Sequence, residues 1–196
     1  AVGILLCAGT SARMGFCKLT MPLCGQTAIE RSMNALLLGG CDALVFAASD
    51  RTRDYLERLP VPVPHAICPG GGTRQESVKN ALAAAESLLG AAPDDIAVIH
   101  DAARCLVSPE VVRASIESAK RFGSGVAATP ATDAVFRVTD RGAEALDRTE
   151  LLLMQTPQTF LFGRIRIAYE RADTAATDDC TLYWRAGYEP RFTEGE

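Results

Sequence analysis

Three short strings in this chain gather residue types that can hold a phosphate and neutralise it. The first is "CAGTSARMGFCK", residues 7–18. Gly9, Thr10 and Ser11 offer small side chains and open backbone N–H groups, so a turn built from them can wrap an anion without steric conflict. Arg13 and Lys18 follow and can meet the charge that builds on a phosphoryl group in transfer. The spacing is neither G-x-x-x-x-G-K-[ST] nor G-x-G-x-x-G, so neither common nucleotide-loop motif applies. On spacing alone, a solvated turn with two surface cations fits as well. The second string, "CPGGGTRQESV", sets three glycines ahead of Thr73, Arg74 and Ser77. Three glycines cost ordering entropy, which makes sense where backbone passes close to a flat ligand. Ser77 is expected to face that loop from the first turn of a helix. A plain flexible connection is the other reading. The third, "VIHDAAR", ends an apolar run on Asp101. A carboxylate there suits an octahedral magnesium that also binds substrate phosphates; a helix N-cap is the alternative. His100 is expected to be packed and hydrogen-bonded rather than to act as a base, and His65 to play no part.

Two later strings add polar groups. "DRTELLLMQTPQTF" holds Arg148, Thr156 and Gln158, with Pro157 expected to fix a turn after a strand. "ATDDCTLYWRAGY" puts Thr177, Asp178 and Asp179 at a helix start, where capping alone accounts for them.

The elements that must position these groups alternate. Apolar runs at 2–7, in "CDALVFAAS" (41–49), in "VPHAICPGGG" (63–72) running into a glycine loop, in "DIAVIHDAA" (95–103) and in "SGVAATPA" (124–131) read as strands. Between them, 27–38, 75–89 and 108–122 carry apolar residues at helical spacing, with Thr27 and Ser108-Pro109 as start signals and Gly39-Gly40 as a stop. "TRDYLERL" reads as a shorter helix. This order predicts an α/β fold: a mostly parallel twisted sheet with helices on both faces. Ligands bind such sheets outside the carboxyl ends of the strands, where the three strings fall. Residues 133–154 break the rhythm with two strands around "TDRGA", a hairpin that either projects as a dimer arm or edges the same sheet. We expect a single domain over 1–196 with this hairpin as an insertion.

Bulk properties narrow the partners. The chain has 196 residues, 48% of them hydrophobic, and a net charge of −4. That suffices for one core and argues against a nucleic-acid or anionic-membrane surface. No apolar run reaches the roughly 20 residues of a membrane span, and "AVGILLCAG" has no basic start, so no signal peptide is expected. The seven cysteines form no C-x-x-C pair. We read them as reduced, mostly buried thiols of a cytoplasmic protein.

Taken together, "CAGTSARMG…K", "GGGTRQESV", "HDAARCLVSPE", "VAATPATDAVFRV", "RTELLLMQTPQTF" and "ATDDCTLYWRAGYEPRFTEGE" resemble the 2-C-methyl-D-erythritol 4-phosphate cytidylyltransferases, in the family's order and over nearly the whole chain. The resemblance implies a Rossmann-like nucleotidyltransferase fold, a homodimer with exchanged hairpin arms, and a magnesium-dependent reaction of CTP with a polyol phosphate. It also implies roles. Cys7, Ala8, Gly9, Thr10 and Ser11 would lie along the CTP, and Gly71, Gly72 and Ser77 near its cytosine and ribose. Ala102, Arg104 and Thr156 would complete the substrate site. Asp101 would be the metal-associated carboxylate. Arg13 and Lys18 would stabilise the pentavalent α-phosphate, and Arg148 would grip the acceptor phosphate from the partner subunit's arm. The chain departs from the family pattern in the short spacing before Lys18, in Cys105 where Pro is usual, and in Ala134 where Thr is usual; the family's second acceptor lysine falls past "FTEGE". The same chemistry on ribitol 5-phosphate, or nucleotide binding without catalysis, are the rival readings; Ala103 leans towards the erythritol acceptor.

Overall fold

The computed structural model describes residues 1–9, 17–172 and 174–196. A seven-stranded sheet runs through the middle. Its strands are β1 (Val2–Cys7), β4 (Ala43–Ala48), β5 (His65–Pro69), β6 (Ile96–Asp101), β7 (Ser124–Pro130), β10 (Leu152–Leu161) and β11 (Phe192–Glu194). Their order across the sheet is β11-β7-β10-β6-β1-β4-β5. β10 pairs antiparallel with β6 and with β7, while the other pairings are parallel. The expected mostly parallel sheet is therefore present, with one reversed strand. Two small ribbons stand apart: β2 (Pro22–Leu23) with β3 (Gln26–Thr27), and β8 (Val135–Thr139) with β9 (Gly142–Leu146).

β1 shows why a strand covered on both faces is apolar throughout. All six of its residues are buried. Val2, Ile4 and Leu6 join the core on one face, and Leu5 and Cys7 join the core on the other. A parallel strand covered on both sides needs apolar groups at every position rather than alternate ones. The first face is covered by α3 (Arg74–Leu89), α5 (Phe162–Glu170) and α6 (Asp179–Arg185); the second by α1 (Ala28–Gly39), α2 (Asp50–Arg58) and α4 (Pro109–Phe122).

Helix ends follow their local chemistry. Thr27 and Glu30 form a reciprocal capping box at α1, and Thr73 and Glu76 another at α3. Each satisfies two N–H groups that the first helical turn leaves bare. Ser108 caps α4 ahead of Pro109. α1 stops at Gly40 with φ of 113°, in the left-handed region that favours glycine.

Two features differ from the sequence reading. Pro157 does not sit in a turn after a strand. It lies inside β10, where the pairing with β7 shifts register between Met154 and Gln158, and the Thr156–Pro157 peptide is cis. A residue without an N–H is tolerated in a sheet where the ladder is interrupted. α5 and β11 had no counterpart in that reading: α5 starts without a side-chain cap, and β11 is three residues long.

The registers set where the hairpin goes. Gln158 of β10 lies opposite Ile99 of β6 and opposite Val126 of β7. Going back along β10 from Gln158 therefore runs past the carboxyl end of β6. Leu152, paired with Pro130, already lies beyond it. The β8–β9 hairpin joins the sheet there and forms a two-stranded sheet of its own, so it does not edge the seven-stranded sheet.

Candidate active site

Parallel strands β1, β4, β5 and β6 deliver Cys7, Ala48, Pro69 and Asp101 to one edge. β1 lies between β4 and β6, so the chain leaves it in one direction and returns on its other side. That is the topological switch at which open α/β sheets bind ligands.

The glycine loop is pressed against the exit of β1. A Cβ on Gly70 would lie 2.3 Å from the Cβ of Ala8, and the Gly70 N–H donates to the Ala48 carbonyl at 2.7 Å. Only a residue without a side chain lets the two loops meet this closely. Ser77, buried in the first turns of α3, faces the loop as expected: its Oγ accepts from the Gly71 N–H at 3.0 Å and donates to the Thr73 carbonyl at 2.9 Å. Gly72 stands next in the loop, near Glu76. The loop is thus a held shape and not a slack connection.

At the start of this edge, Cys7 is fully buried, and burial, followed by Cys17 and Cys68, pushes its thiol far above the ordinary range. It is a packing group, without thiolate character. Gly9 is exposed. Thr10, Ser11 and Arg13 lie outside the described residues. Lys18 is exposed and opens the 3-10 turn Lys18–Thr20, whose Leu19 is anchored in the core beside α1.

Asp101 does not cap a helix. Its Oδ1 accepts from Arg74 Nε at 3.1 Å, and its Oδ2 lies 3.6 Å from Arg104 Nε. The Asp101 side chain is 30% exposed. Behind it stands a buried relay. His100 is 0% exposed, and its Nε2 lies 3.2 Å from the Arg104 carbonyl. A carbonyl only accepts, so Nε2 carries the proton and Nδ1 is the acceptor. Thr156 Oγ1, 2.9 Å from Nδ1, must then donate to it, and accepts from the Asp101 N–H at 3.3 Å. Burial, the largest influence, pushes His100 down to about 4 despite the nearby Asp101 charge. It is a neutral packing histidine, as the sequence suggested. Ala102 is buried as well; its N–H donates to the Leu6 carbonyl at 3.2 Å and its carbonyl accepts from Ser32 Oγ at 3.1 Å. These bonds lash the turn after β6 to β1 and α1. Thr156 spends its proton inside the protein, beside a small pocket shared with Arg104, Val107, Gln155 and Glu196.

The sequence singled out Arg74 and Asp179 separately and missed that they meet. Arg74 Nη2 donates to Asp179 Oδ2 at 2.8 Å, and Tyr169 donates its hydroxyl to Asp179 Oδ1. Capping belongs to Asp178 instead, which accepts from the Thr181 N–H at 2.8 Å. Burial disfavours the Arg74 charge, but Asp179 and Asp101 outweigh it and raise its pKa. The available signal was the second aspartate of "TDD": one carboxylate suffices for a cap, and the other needs a partner. Arg148 stands apart at the foot of the hairpin, exposed, with Nη1 donating to the Thr132 carbonyl at 2.5 Å.

Among the described residues, no three His, Cys, Asp or Glu side chains gather to hold a metal. An all-protein metal cage does not fit this edge. A magnesium that keeps its waters and is held mostly by substrate phosphates, with one protein carboxylate, does fit Asp101.

Comparison with known proteins bears on the same edge. A family model described as "IspD: 2-C-methyl-D-erythritol 4-phosphate cytidylyltransferase" matches residues 2–196. The bifunctional enzyme IspD/IspF of Anaeromyxobacter dehalogenans is 36% identical over 208 residues, covering 100% of this chain and 52% of that protein. The 2-C-methyl-D-erythritol 4-phosphate cytidylyltransferase of Thermobifida fusca is 35% identical, covering 92% of this chain and 78% of that protein. The chain spans about half the length of the bifunctional relatives it matches. Among solved structures, the cytidylyltransferase of Thermus thermophilus superposes with a TM-score of 0.77 at 27% identity, covering 98% of this chain and 88% of that one. That of Francisella tularensis gives 0.81 at 25%, covering 100% and 90%. With residues 2–196 matched end to end and the strand order, glycine loop and Asp101 turn in place, the chain belongs to the 2-C-methyl-D-erythritol 4-phosphate cytidylyltransferase family.

Proposed function

We propose that the chain joins CTP to 2-C-methyl-D-erythritol 4-phosphate, giving CDP-methylerythritol and pyrophosphate, in non-mevalonate isoprenoid biosynthesis. A phosphate oxygen of the acceptor forms a bond to the α-phosphorus of CTP. The bond from that phosphorus to the oxygen bridging the β-phosphate breaks, and its electron pair leaves with pyrophosphate. The acceptor is the nucleophile, so the protein has to position and to neutralise rather than to attack. The observation that carries this reading is the Asp101 edge: a half-open carboxylate at the switch point, beside a glycine loop closed on the exit of β1.

In this reading residues 7–11 and Gly71–Gly72 receive the nucleotide, with Ser77 holding the glycine loop in shape. Arg13 and Lys18 meet the charge that grows on the α-phosphate. Asp101 would hold a magnesium ion, which supplies charge neutralisation across the phosphates. Arg104 lies next to Asp101 and faces the pocket with Thr156. Arg148 would reach the acceptor phosphate of a second protomer. The hairpin supports that homodimer: Phe136 and Val138, two apart and so on one face, are 58% and 77% exposed. All seven cysteines are free, which fits a reducing cytoplasm.

The test is pyrophosphate release with CTP, magnesium and methylerythritol phosphate, with ribitol 5-phosphate in parallel. Release with the erythritol acceptor alone is expected. Release with ribitol 5-phosphate alone would reassign the acceptor. CTP binding with no release from either would mark a nucleotide-binding protein without catalysis.

A further inference from the structure

We infer that Arg74 is a positioning residue, one that orients the Asp101 carboxylate from a buried anchor on Asp179; the inference rests on the reading of Asp101 given above. Arg74 is the first residue of α3, and the Thr73–Glu76 box fixes the direction in which it leaves. Its guanidinium spans two carboxylates on unrelated elements: Nε on Asp101 of β6 at 3.1 Å, and Nη2 on Asp179 of α6 at 2.8 Å. The planar fork makes both bonds at once in a fixed relative direction, which a lysine ammonium on a flexible stem cannot do.

The two ends differ in character. Asp179 is 0% exposed, and Tyr169 of α5 occupies its other oxygen. The start of α6 is pinned further by Gln158 of β10, whose Oε1 accepts from the Cys180 N–H at 2.8 Å. Gln75, beside Arg74, accepts from the Ala176 N–H at 3.2 Å. That end is a rigid anchor. The Asp101 end is open. The Asp179 bond already ties α3 to α6, and Nε reaches on to Asp101 at the ligand edge. Arg74 brings one positive charge to the two carboxylates it bridges, so the three groups together keep one net negative charge. With Oδ1 held by Arg74, Oδ2 is left with the longer contact, 3.6 Å from the half-exposed Arg104.

The experiment compares wild type, Arg74→Lys and Asp179→Asn. Two quantities are read: the melting-temperature shift given by CTP with and without magnesium, and kcat and KM for pyrophosphate release across a magnesium titration. Outer partners of a metal-binding carboxylate typically carry about 10–100-fold in metal affinity or activity. For Arg74→Lys we expect a folded protein whose magnesium-dependent part of the CTP shift is lost, whose magnesium requirement rises about tenfold, and whose kcat falls more than its KM for CTP rises. Asp179→Asn, which keeps an acceptor for Arg74 but loses the anchor's charge, should move the same readouts less. A variant that melts earlier but keeps the wild-type magnesium dependence would overturn the inference and leave Arg74 a structural ion pair. Should Arg74→Lys fail to fold, Asp179→Asn decides on the same terms. Wild type that binds MgCTP without turnover would defeat the proposed function, while the binding arm would still report on Arg74.

Discussion

His100 shows how a side chain beside a reactive edge can be purely structural and still leave a measurable signature. Its ordinary value is 6.5, and burial brings it down to about 4. Between these limits the unfolded chain takes up a proton that the native protein refuses, so stability is complete above about pH 6.5 and is lost as pH falls towards 4. The slope is about 1.4 kcal/mol per pH unit. In metal-free buffer, denaturant unfolding should therefore show a steeper loss from pH 6.5 to 5 for wild type than for His100→Gln. Equal slopes would mean that His100 is protonated in the native state. Ser77 gives a second case. Ser77→Ala removes the acceptor of the Gly71 N–H and should cost about 1 kcal/mol. It should raise the KM for CTP more than it lowers kcat, since the loop loses its shape and not its chemistry; an unchanged KM would detach that loop from the nucleotide. Both residues were legible from local sequence: Ser77 lies four residues after the cap Thr73, and His100 sits in an apolar run. The Arg74–Asp179 pair, 105 positions apart, left no local trace, and neither did the bond between Thr156 and His100.

The same distinction governs the elements. α1, α3 and α4 carry their own start signals as caps, and β1 and β4 are apolar at every position, so the alternating order could be read directly. β10 could not. Its direction, its internal Pro157 and its shift of register come from fitting between β6 and β7, which is a tertiary demand. α5 has no cap and is made by packing: Phe162, Ile165, Ala168 and Tyr169 are all buried. The direction of β10 has a functional consequence, because it carries Arg148 past the sheet edge on the stem of the hairpin and not into the Asp101 cluster. Arg148→Ala should accordingly raise the KM for the acceptor by about tenfold or more, the loss of a charge-assisted phosphate contact, and leave the KM for CTP and the melting temperature near wild type. A matching rise in the KM for CTP would place Arg148 on the nucleotide instead.

For the whole molecule the hairpin is the unbalanced part. Its register pairs Phe136 with Ala145 and Val138 with Ala143, which makes one face apolar, while Arg137 and Glu144 pair at 3.3 Å on the other. An isolated two-stranded ribbon is marginal in water, and a patch of exposed apolar side chains usually marks an interface. The arm also leaves the body at the ligand edge, with Leu152 and Leu153 exposed at its root. A second copy that contributes the same ribbon would cover both patches by symmetry, since a two-fold interface matches a surface to itself. Sedimentation at micromolar concentration should therefore give a dimer. Phe136→Glu with Val138→Glu should give a monomer, because two charges would face an apolar surface. The body holds its own two-sided core, so the monomer should stay folded and keep its CTP-dependent thermal shift. Turnover should fall steeply if Arg148 serves the neighbouring protomer. A monomeric wild type would sink the symmetric assembly, and a monomeric double variant with full turnover would show that each chain supplies its own acceptor site.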